Sequence, residues 1–294
     1  MEGRTTRMVE VMSEDCLRKV LKWAGELGWN PGTMDEVPFR TADREGFFSV
    51  ADDNGVVMAG VSAVRYGENY GHIGLYICAE EFRGNGHGTT LFRHAMRHLE
   101  GRVVGLDAVE AQQANYVKHG FLLAHQTIRF GGEFAAGEEN DDDGGIQALT
   151  PENMDLVIAY DETQFPAPRQ EFTRAWLTTP GHIARVAMED GVVRGYGVLR
   201  PCVDGAKLAP LFASSVEVAE LLARALVAAA AAAASRASAS VKVFLDVPEP
   251  NTEGVRLAER MGLSKVSVTG RMYLGSAPKL TLDQTFGFTS LELG

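Results

Sequence analysis

The chain has 294 residues, 45% of them hydrophobic, and a formal net charge of -11. That length suits two ordinary domains, each able to bury a core. The acidic balance argues against a nucleic-acid partner, since phosphate backbones bind basic faces.

No apolar run reaches the roughly 18 residues of a membrane span, and Met1-Glu2-Gly3-Arg4 leads into no signal-like stretch. Cys16, Cys78 and Cys202 are scattered and odd in number, which fits a reducing compartment. A soluble, cytoplasmic protein with no membrane partner is expected. There is no Cys-x-x-Cys pair and no His-Glu-x-x-His helix, so no metal site is expected. His94 and His98, four apart on a helical stretch, read as solvated surface histidines.

In chain order, Met8 to Met12 reads as a strand, and Ser13 can cap a helix with Leu17, Val20, Leu21, Ala24 and Leu27 at helical spacing. Phe47 to Ala51, Gly55 to Arg65 and His72 to Cys78 read as strands, the first two joined by an Asp53-Asn54-Gly55 turn. A glycine-rich turn leads into a helix carrying Leu91, Phe92, Ala95, Met96 and Leu99 on one stripe. Val103 to Asp107 reads as a strand, Glu110 to Lys118 as a helix, and Leu122 to Phe130 as further strand. The outline is a mixed α/β half of about seven strands and three or four helices.

Residues Gly131 to Gly145, GGEFAAGEENDDDGG, hold glycines and acids that bury little apolar area, and read as a flexible linker. The expected division is a first domain at 1–132, a linker at 133–145 and a second domain at 146–294. The second half repeats the outline of the first. Its Ala228 to Ala234 run extends a helix that begins after Ser215. Val50-Ala51 and Gly55-Val56-Val57 recur as Val186-Ala187 and Gly191-Val192-Val193 at a shift of 136. Leu106-Asp107 recurs as Leu245-Asp246 at a shift of 139, and Thr127-x-Arg129 as Thr269-x-Arg271 at 142. Shifts that grow slowly in sequence order are what a duplication with small insertions leaves.

The segment Arg83-Gly84-Asn85-Gly86-His87-Gly88-Thr89 lies between a strand and a helix. Glycines there let backbone approach a ligand, and the unpaired amides of a helix start favour an anion such as a pyrophosphate. The turn lacks the lysine of a nucleotide P-loop and the spacing of a dinucleotide fingerprint, which disfavours a nucleotide-binding protein.

With its flanks, Tyr76-Ile77-Cys78-Ala79-Glu80-Glu81-Phe82-Arg83-Gly84-Asn85-Gly86-His87-Gly88 resembles the coenzyme A motif (Arg/Gln)-x-x-Gly-x-(Gly/Ala) of the GNAT superfamily of acyl-CoA N-acyltransferases. Tyr116-Val117-Lys118-His119-Gly120-Phe121 is similar to that superfamily's Tyr-x-x-x-Gly-Phe segment. Leu106-Asp107-Ala108, the Gly28-Trp29-Asn30-Pro31-Gly32 loop and Gly270-Arg271-Met272-Tyr273-Leu274-Gly275 further resemble a subgroup with two GNAT domains in tandem, the second degenerate. Glu80 stands where that superfamily often has proline, and Val109 where many members have asparagine.

The resemblance implies two tandem GNAT-like domains, each a mixed, mostly antiparallel sheet flanked by helices. It implies acetyl-CoA as cosubstrate, with the amides of Arg83 through Thr89 around the pyrophosphate. Ile77 and Cys78 would pair with the pantetheine arm, and the Cys78 amide would polarise the thioester carbonyl. At a shift of 136, Arg83 and Gly84 fall on Ala219 and Glu220; Gly120 recurs as Gly262 at a shift of 142, and counting back from it Tyr116 matches Ala258, so one site per chain is expected.

Amine attack on a thioester needs a neutral amine, oxyanion stabilisation and a proton for the leaving thiolate. No Cys-His or Ser-His pair stands at readable spacing, so direct transfer suits the site, and Cys78 reads as a core cysteine. Tyr116 is the candidate general acid, or else an aromatic packed beside the pantetheine. Asp107 is the candidate base, or else the cap of the following helix; His72 and Glu110 are weaker candidates. Trp29 and Tyr70 are candidate acceptor contacts. Asp246, Arg271 and Tyr273 either wall the acceptor cleft or hydrogen-bond inside the domain, the second reading being favoured. The expected acceptor is the primary amine of a small molecule, taken by a monomer or homodimer. The rivals are a protein or peptide lysine acetyltransferase and a non-catalytic acyl-CoA sensor.

Overall fold

A computed structural model describes residues 8–135, 145–233 and 240–294. The first half begins with β1 (Val9–Val11) and α1 (Glu14–Glu26). The Ser13 hydroxyl accepts from the Cys16 amide at 3.2 Å, and Leu17, Val20, Leu21 and Ala24 form the buried stripe. Leu27 lies just past the helix and is half-exposed. A short α2 (Glu36–Ala42) follows, which the sequence reading misses because it has seven residues and Pro38 in its first turn. Then come β2 (Phe47–Ala51), β3 (Val57–Tyr66), β4 (Tyr70–Cys78), α3 (His87–His98), β5 (Val103–Val109), α4 (Glu110–Lys118) and β6 (Leu122–Phe134). The half thus holds six strands and four α-helices among the described residues, not seven strands.

The second half contains β7 (Ile146–Ala148), α5 (Pro151–Gln164), α6 (Gln170–Thr178), β8 (Ile183–Glu189), β9 (Val192–Pro201) and β10 (Ala206–Ala213). It continues with α7 (Val216–Ala233), β11 (Val241–Pro248), α8 (Thr252–Arg260), β12 (Ser264–Leu274) and β13 (Thr285–Gly287). Ala234, the last residue of the alanine run, lies outside the described residues.

All described strands join one 13-stranded sheet, in the order β1-β2-β3-β4-β5-β12-β6-β11-β10-β9-β8-β7, with β13 paired to β10. The last long strand of each half has crossed to the other: β12 pairs with β5 and β6 with β11, both antiparallel. The two domain sheets therefore run on into one. β6 extends through Gly131 and Gly132 to a buried Phe134, so part of the expected linker is sheet. Gly131 is required by packing, since a Cβ there would sit 2.6 Å from the Phe244 ring. Residues 136–144 of that linker lie outside the described residues.

The repeat motifs meet at the exchange. Thr127 and Thr269 are register partners across β6 and β12, which places a local two-fold axis between them. On either side, Arg129 Nε and Nη2 hold Asp246 at 2.6 and 2.7 Å. Arg271 Nε and Nη2 hold Asp107 at 2.9 and 2.8 Å. Each half's aspartate is thus bound by the other half's arginine. A third buried pair joins the halves away from the axis, with Arg200 Nη1 at 2.6 and 2.7 Å from the two Asp35 oxygens.

Apolar packing crosses the same boundary. Leu17, Phe39 and Tyr66 share a core with Trp176, Tyr196 and Leu293, and Phe39 stacks on Trp176 at 6.3 Å. His94 and His98 are not solvated: both pack edge-on against Phe48, and His98 Nε2 lies 3.3 Å from Asp43. No helix among the described residues is long and apolar enough to cross a membrane.

Removing one member of a buried ion pair strands its partner's charge, which costs about 3–5 kcal/mol. Asp35→Leu is therefore expected to destabilise the protein by that order in urea denaturation. The double variant with Arg200→Met should recover most of the loss, and equal stability of the single variant and wild type would contradict this account.

Candidate active site

β4 and β5 run parallel only from Tyr70 paired with Val103 to Ile73 paired with Leu106. Beyond that point β4 carries a bulge. Gly74 pairs with Ser62 and Ile77 with Gly60, so Leu75 and Tyr76 together oppose Val61, and Leu75 takes a φ of 46°. The bulge turns Tyr76–Cys78 away from β5, while β5 continues beside β12 as far as Val109. The resulting split opens into a cavity of about 630 Å³.

The glycine turn sits at the mouth of the split. Arg83 and Gly88 line the cavity, and Arg83 Nε donates to the Cys78 carbonyl at 3.1 Å, tying the turn to β4. Gly84 and Gly86 have φ of 77° and 81°, and nothing lies within 4 Å of where their Cβ atoms would stand. Gly86 is the N-cap of α3 and no side chain caps that helix, which leaves its start presenting amides. Gly88 is glycine because a Cβ there would press on the Tyr76 hydroxyl at 2.8 Å. The His87 side chain is buried against Phe82, so its part in any cradle is its backbone. Asn85 Nδ2 donates to the Phe82 and Arg83 carbonyls and stiffens the turn, and Thr89 lines the adjoining second cavity.

Tyr116, on α4, is buried between Phe92 and Phe121. It lines the main cavity and also the second, of about 490 Å³, with Thr89, Arg93, Arg97 and His119. Burial, reinforced by Tyr76, pushes its phenol well above the ordinary range, so it holds its proton throughout neutral pH.

Asp107 does not cap α4, whose N-cap is Val109. It lies within β5, lines the cavity, and turns both carboxylate oxygens toward Arg271, with His72 Nε2 3.6 Å from Oδ2. Burial lifts its carboxyl to about 6 against the pull of Arg271. Oδ1 accepts the Arg271 Nε hydrogen bond, whereas Oδ2, although 2.8 Å from Arg271 Nη2, accepts no aligned hydrogen bond, so one oxygen of this raised carboxyl is left able to take a proton. Cys78 packs against the core of the first half and also lines the cavity wall, partly exposed. Burial raises its thiol, which keeps it protonated.

Of the acceptor candidates, Trp29 lines the cavity. Its loop is clamped onto the other half: Asn30 exchanges hydrogen bonds with Asp204, and the Trp29 carbonyl accepts from Arg129 Nη1 at 2.8 Å and Lys207 Nζ at 3.2 Å. Tyr70 is buried against Tyr66 and Phe165, with its hydroxyl 3.3 Å from His72 Nδ1, and does not reach the cavity. Arg271 and Tyr273 lie behind Asp107, off the cavity wall. Asp246 is on the wall but committed to Arg129. The cause is the exchange itself, which turns the polar side chains of β12 and β11 onto the strands they join.

The sequence reading misses the innermost wall, formed by Leu291 and Glu292. Their backbone crosses β4 where a Cβ on Gly74 would collide with the Glu292 carbonyl. A glycine inside a strand was the one available signal of that close approach.

The second half has the same split without the opening. Only Ser214 and Ser215 separate β10 from α7, and Ala219 and Glu220 lie inside that helix. β13 pairs with β10 at Leu211 and Phe212, and the Phe288 amide donates to the Asp246 carbonyl at 3.0 Å, so the chain's own backbone fills the gap between β10 and β11. Among the described residues no three His, Cys, Asp or Glu side chains gather as a metal site.

Comparison with known proteins agrees with this architecture. A family model described as Acetyltransferase (GNAT) family matches residues 15–122, and one described as Acetyltransferase (GNAT) domain matches residues 157–287. Holothin acyltransferase of Pseudoalteromonas sp. (strain SANK 73390) is 32% identical over 277 residues, covering 94% of this chain and 90% of that protein. A candidate acetyltransferase from Pyrococcus horikoshii superposes with a TM-score of 0.77 at 20% identity, over 100% of this chain and 99% of that one. A tandem GNAT protein from the clavulanic acid biosynthesis pathway superposes at 0.59 and 12% identity, over 92% of this chain and 99% of that one. The chain belongs to the GNAT acyltransferases and carries two GNAT domains in tandem.

Proposed function

We propose that the protein transfers the acetyl group of acetyl-CoA to the primary amine of a small molecule, by direct attack in the split of the first half. The observation that carries this reading is the open split with an anion-accepting helix start at its mouth and Tyr116 on its wall. The residues present fit the coenzyme. The space over Gly84 and Gly86 admits a pyrophosphate against the amides of Arg83 through Thr89. Arg93 and Arg97 beside the second cavity offer charge to a further phosphate. The Ala79 amide donates to Met58 on β3, so by strand alternation the amides of Cys78 and Tyr76 point into the split. There they would meet the pantetheine arm and the thioester carbonyl.

When bound, acetyl-CoA supplies the activated acyl carbonyl and the thiol leaving group. The Cys78 amide would donate to the carbonyl oxygen as charge develops on it. As the C–N bond forms and the C–S bond breaks, Tyr116, whose phenol holds its proton at neutral pH, gives that proton to the departing sulfur, and the proton shed by the attacking nitrogen restores the phenol. A small acceptor suits the cavity better than a protein lysine, because Trp29, Thr127, Thr269 and Leu291 from both halves close its inner end. The kinship with a protein named holothin acyltransferase supports acyl transfer, and Tyr116 on the cavity wall disfavours a pure sensor.

Free-thiol release from acetyl-CoA across a panel of small primary amines tests the activity directly. Gly86→Glu places a like charge in the cradle, a cost of several kcal/mol, and should weaken acetyl-CoA binding by roughly 100-fold or more in calorimetry. Unchanged affinity defeats the phosphate cradle. Tyr116→Phe should leave that affinity intact and lower kcat by roughly 100-fold. A variant as active as wild type at every pH would remove Tyr116 from the mechanism.

A further inference from the structure

Eight buried charges surround the junction of the halves. Arg129, Arg200 and Arg271 each hold an aspartate within 3 Å, and Lys207 Nζ donates to the Trp29 carbonyl. Glu292 is the one anion among them with no cation among the described residues at ion-pair distance. It is 4% exposed and lines the main cavity. Ser290 Oγ donates to its Oε2 at 2.6 Å and orients the carboxylate, while no donor among the described residues reaches Oε1. Burial pushes its carboxyl up, but Lys207, Arg200 and Arg129 outweigh that and hold it ionised.

Two further polar groups of the same wall lack partners. Thr127 and Thr269 line the cavity, and no group among the described residues satisfies either hydroxyl. A carboxylate on the cavity wall and two buried hydroxyls left without partners beside it suit a ligand that brings donors.

Resting on the transferase reading above, we infer that Glu292, with Thr127 and Thr269, forms the acceptor subsite and anchors the primary ammonium of the incoming amine. The backbone of Glu292 crosses Gly74, directly before the bulge at Leu75, so this carboxylate closes the end of the split toward which the coenzyme's arm points. The aspartates on the same wall each already have a cation, Asp246 hydrogen-bonded through both oxygens to Arg129 and Asp107 ion-paired with Arg271. The substrate class is a small primary amine that arrives protonated, gives up one ammonium proton to solvent before its nitrogen attacks, and carries a polar group within reach of the threonines.

The test titrates benzylamine, n-butylamine and spermidine into the full chain loaded with coenzyme A, with benzyl alcohol as the uncharged control. Wild type is expected to bind at least one amine, and Glu292→Gln to weaken that amine by roughly tenfold or more while leaving benzyl alcohol and coenzyme A affinities unchanged. Glu292→Asp, which keeps the charge but shortens its reach, should fall between the two. Thermal unfolding verifies that each variant folds. If Glu292→Gln does not, a loss in Glu292→Asp selective for the amine over the alcohol supports the assignment and an equal loss overturns it. Equal amine affinity in wild type and Glu292→Gln, or no amine bound by wild type, also overturns it. Either result leaves the coenzyme cradle standing, because that is judged separately by the Gly86 variant.

Discussion

Two guanidinium–carboxylate pairs, related by the local axis between Thr127 and Thr269, are the constraint on which the molecule turns. Each links an arginine of one half to an aspartate of the other, with both carboxylate oxygens within ion-pair distance of the guanidinium. Such pairs are costly to desolvate, so their value lies in register more than in net stability. A slip of β6 or β12 by one residue would send Arg129 or Arg271 to the opposite face and leave a buried carboxylate bare. The exchange of strands and the placement of both cavity-lining aspartates therefore specify one another.

That frame gives each half the same split strand pair and then treats the two differently. In the first, eight residues from Ala79 to Gly86 separate strand from helix, enough for a glycine turn that presents amides. In the second, two serines make the same connection and α7 starts at once. The first split stays open to a ligand, and the second is satisfied by β13. Bulged strands leave backbone groups that must find partners, and here one set has a protein partner and the other a cavity.

Much of this was legible from residues alone. The glycine turn, the Tyr116 segment and the amphipathic stripes of α1 and α3 are local features, and local physics places them within a residue or two. The repeat could be read because Asp107 with Asp246 and Arg129 with Arg271 survive duplication. What could not be read was that they bind crosswise, since strand order is not a property of any single segment. The same blindness put Tyr70 in the acceptor cleft and left Arg271 and Tyr273 open between the cleft and contacts inside their own domain. A phenol or guanidinium looks alike in sequence whether it faces a substrate or a buried aspartate. Gly131 and Gly132 read as linker because a glycine demanded by a neighbouring ring is spelled the same as one that confers flexibility.

The crosswise strands are the arrangement that two copies of one small fold adopt when each lends its final strand to the other, here carried on a single polypeptide. Neither half is then a module that can be cut free. Excising the first would strip β12 from beside β5, release Asp107 from its guanidinium and leave two long unpaired strand edges, a surface prone to self-association. It would also remove the inner wall of the cavity, since Leu291 and Glu292 meet Gly74 across more than two hundred residues of chain. Contacts of such long range close late in folding, so the pocket is completed only after both halves have docked.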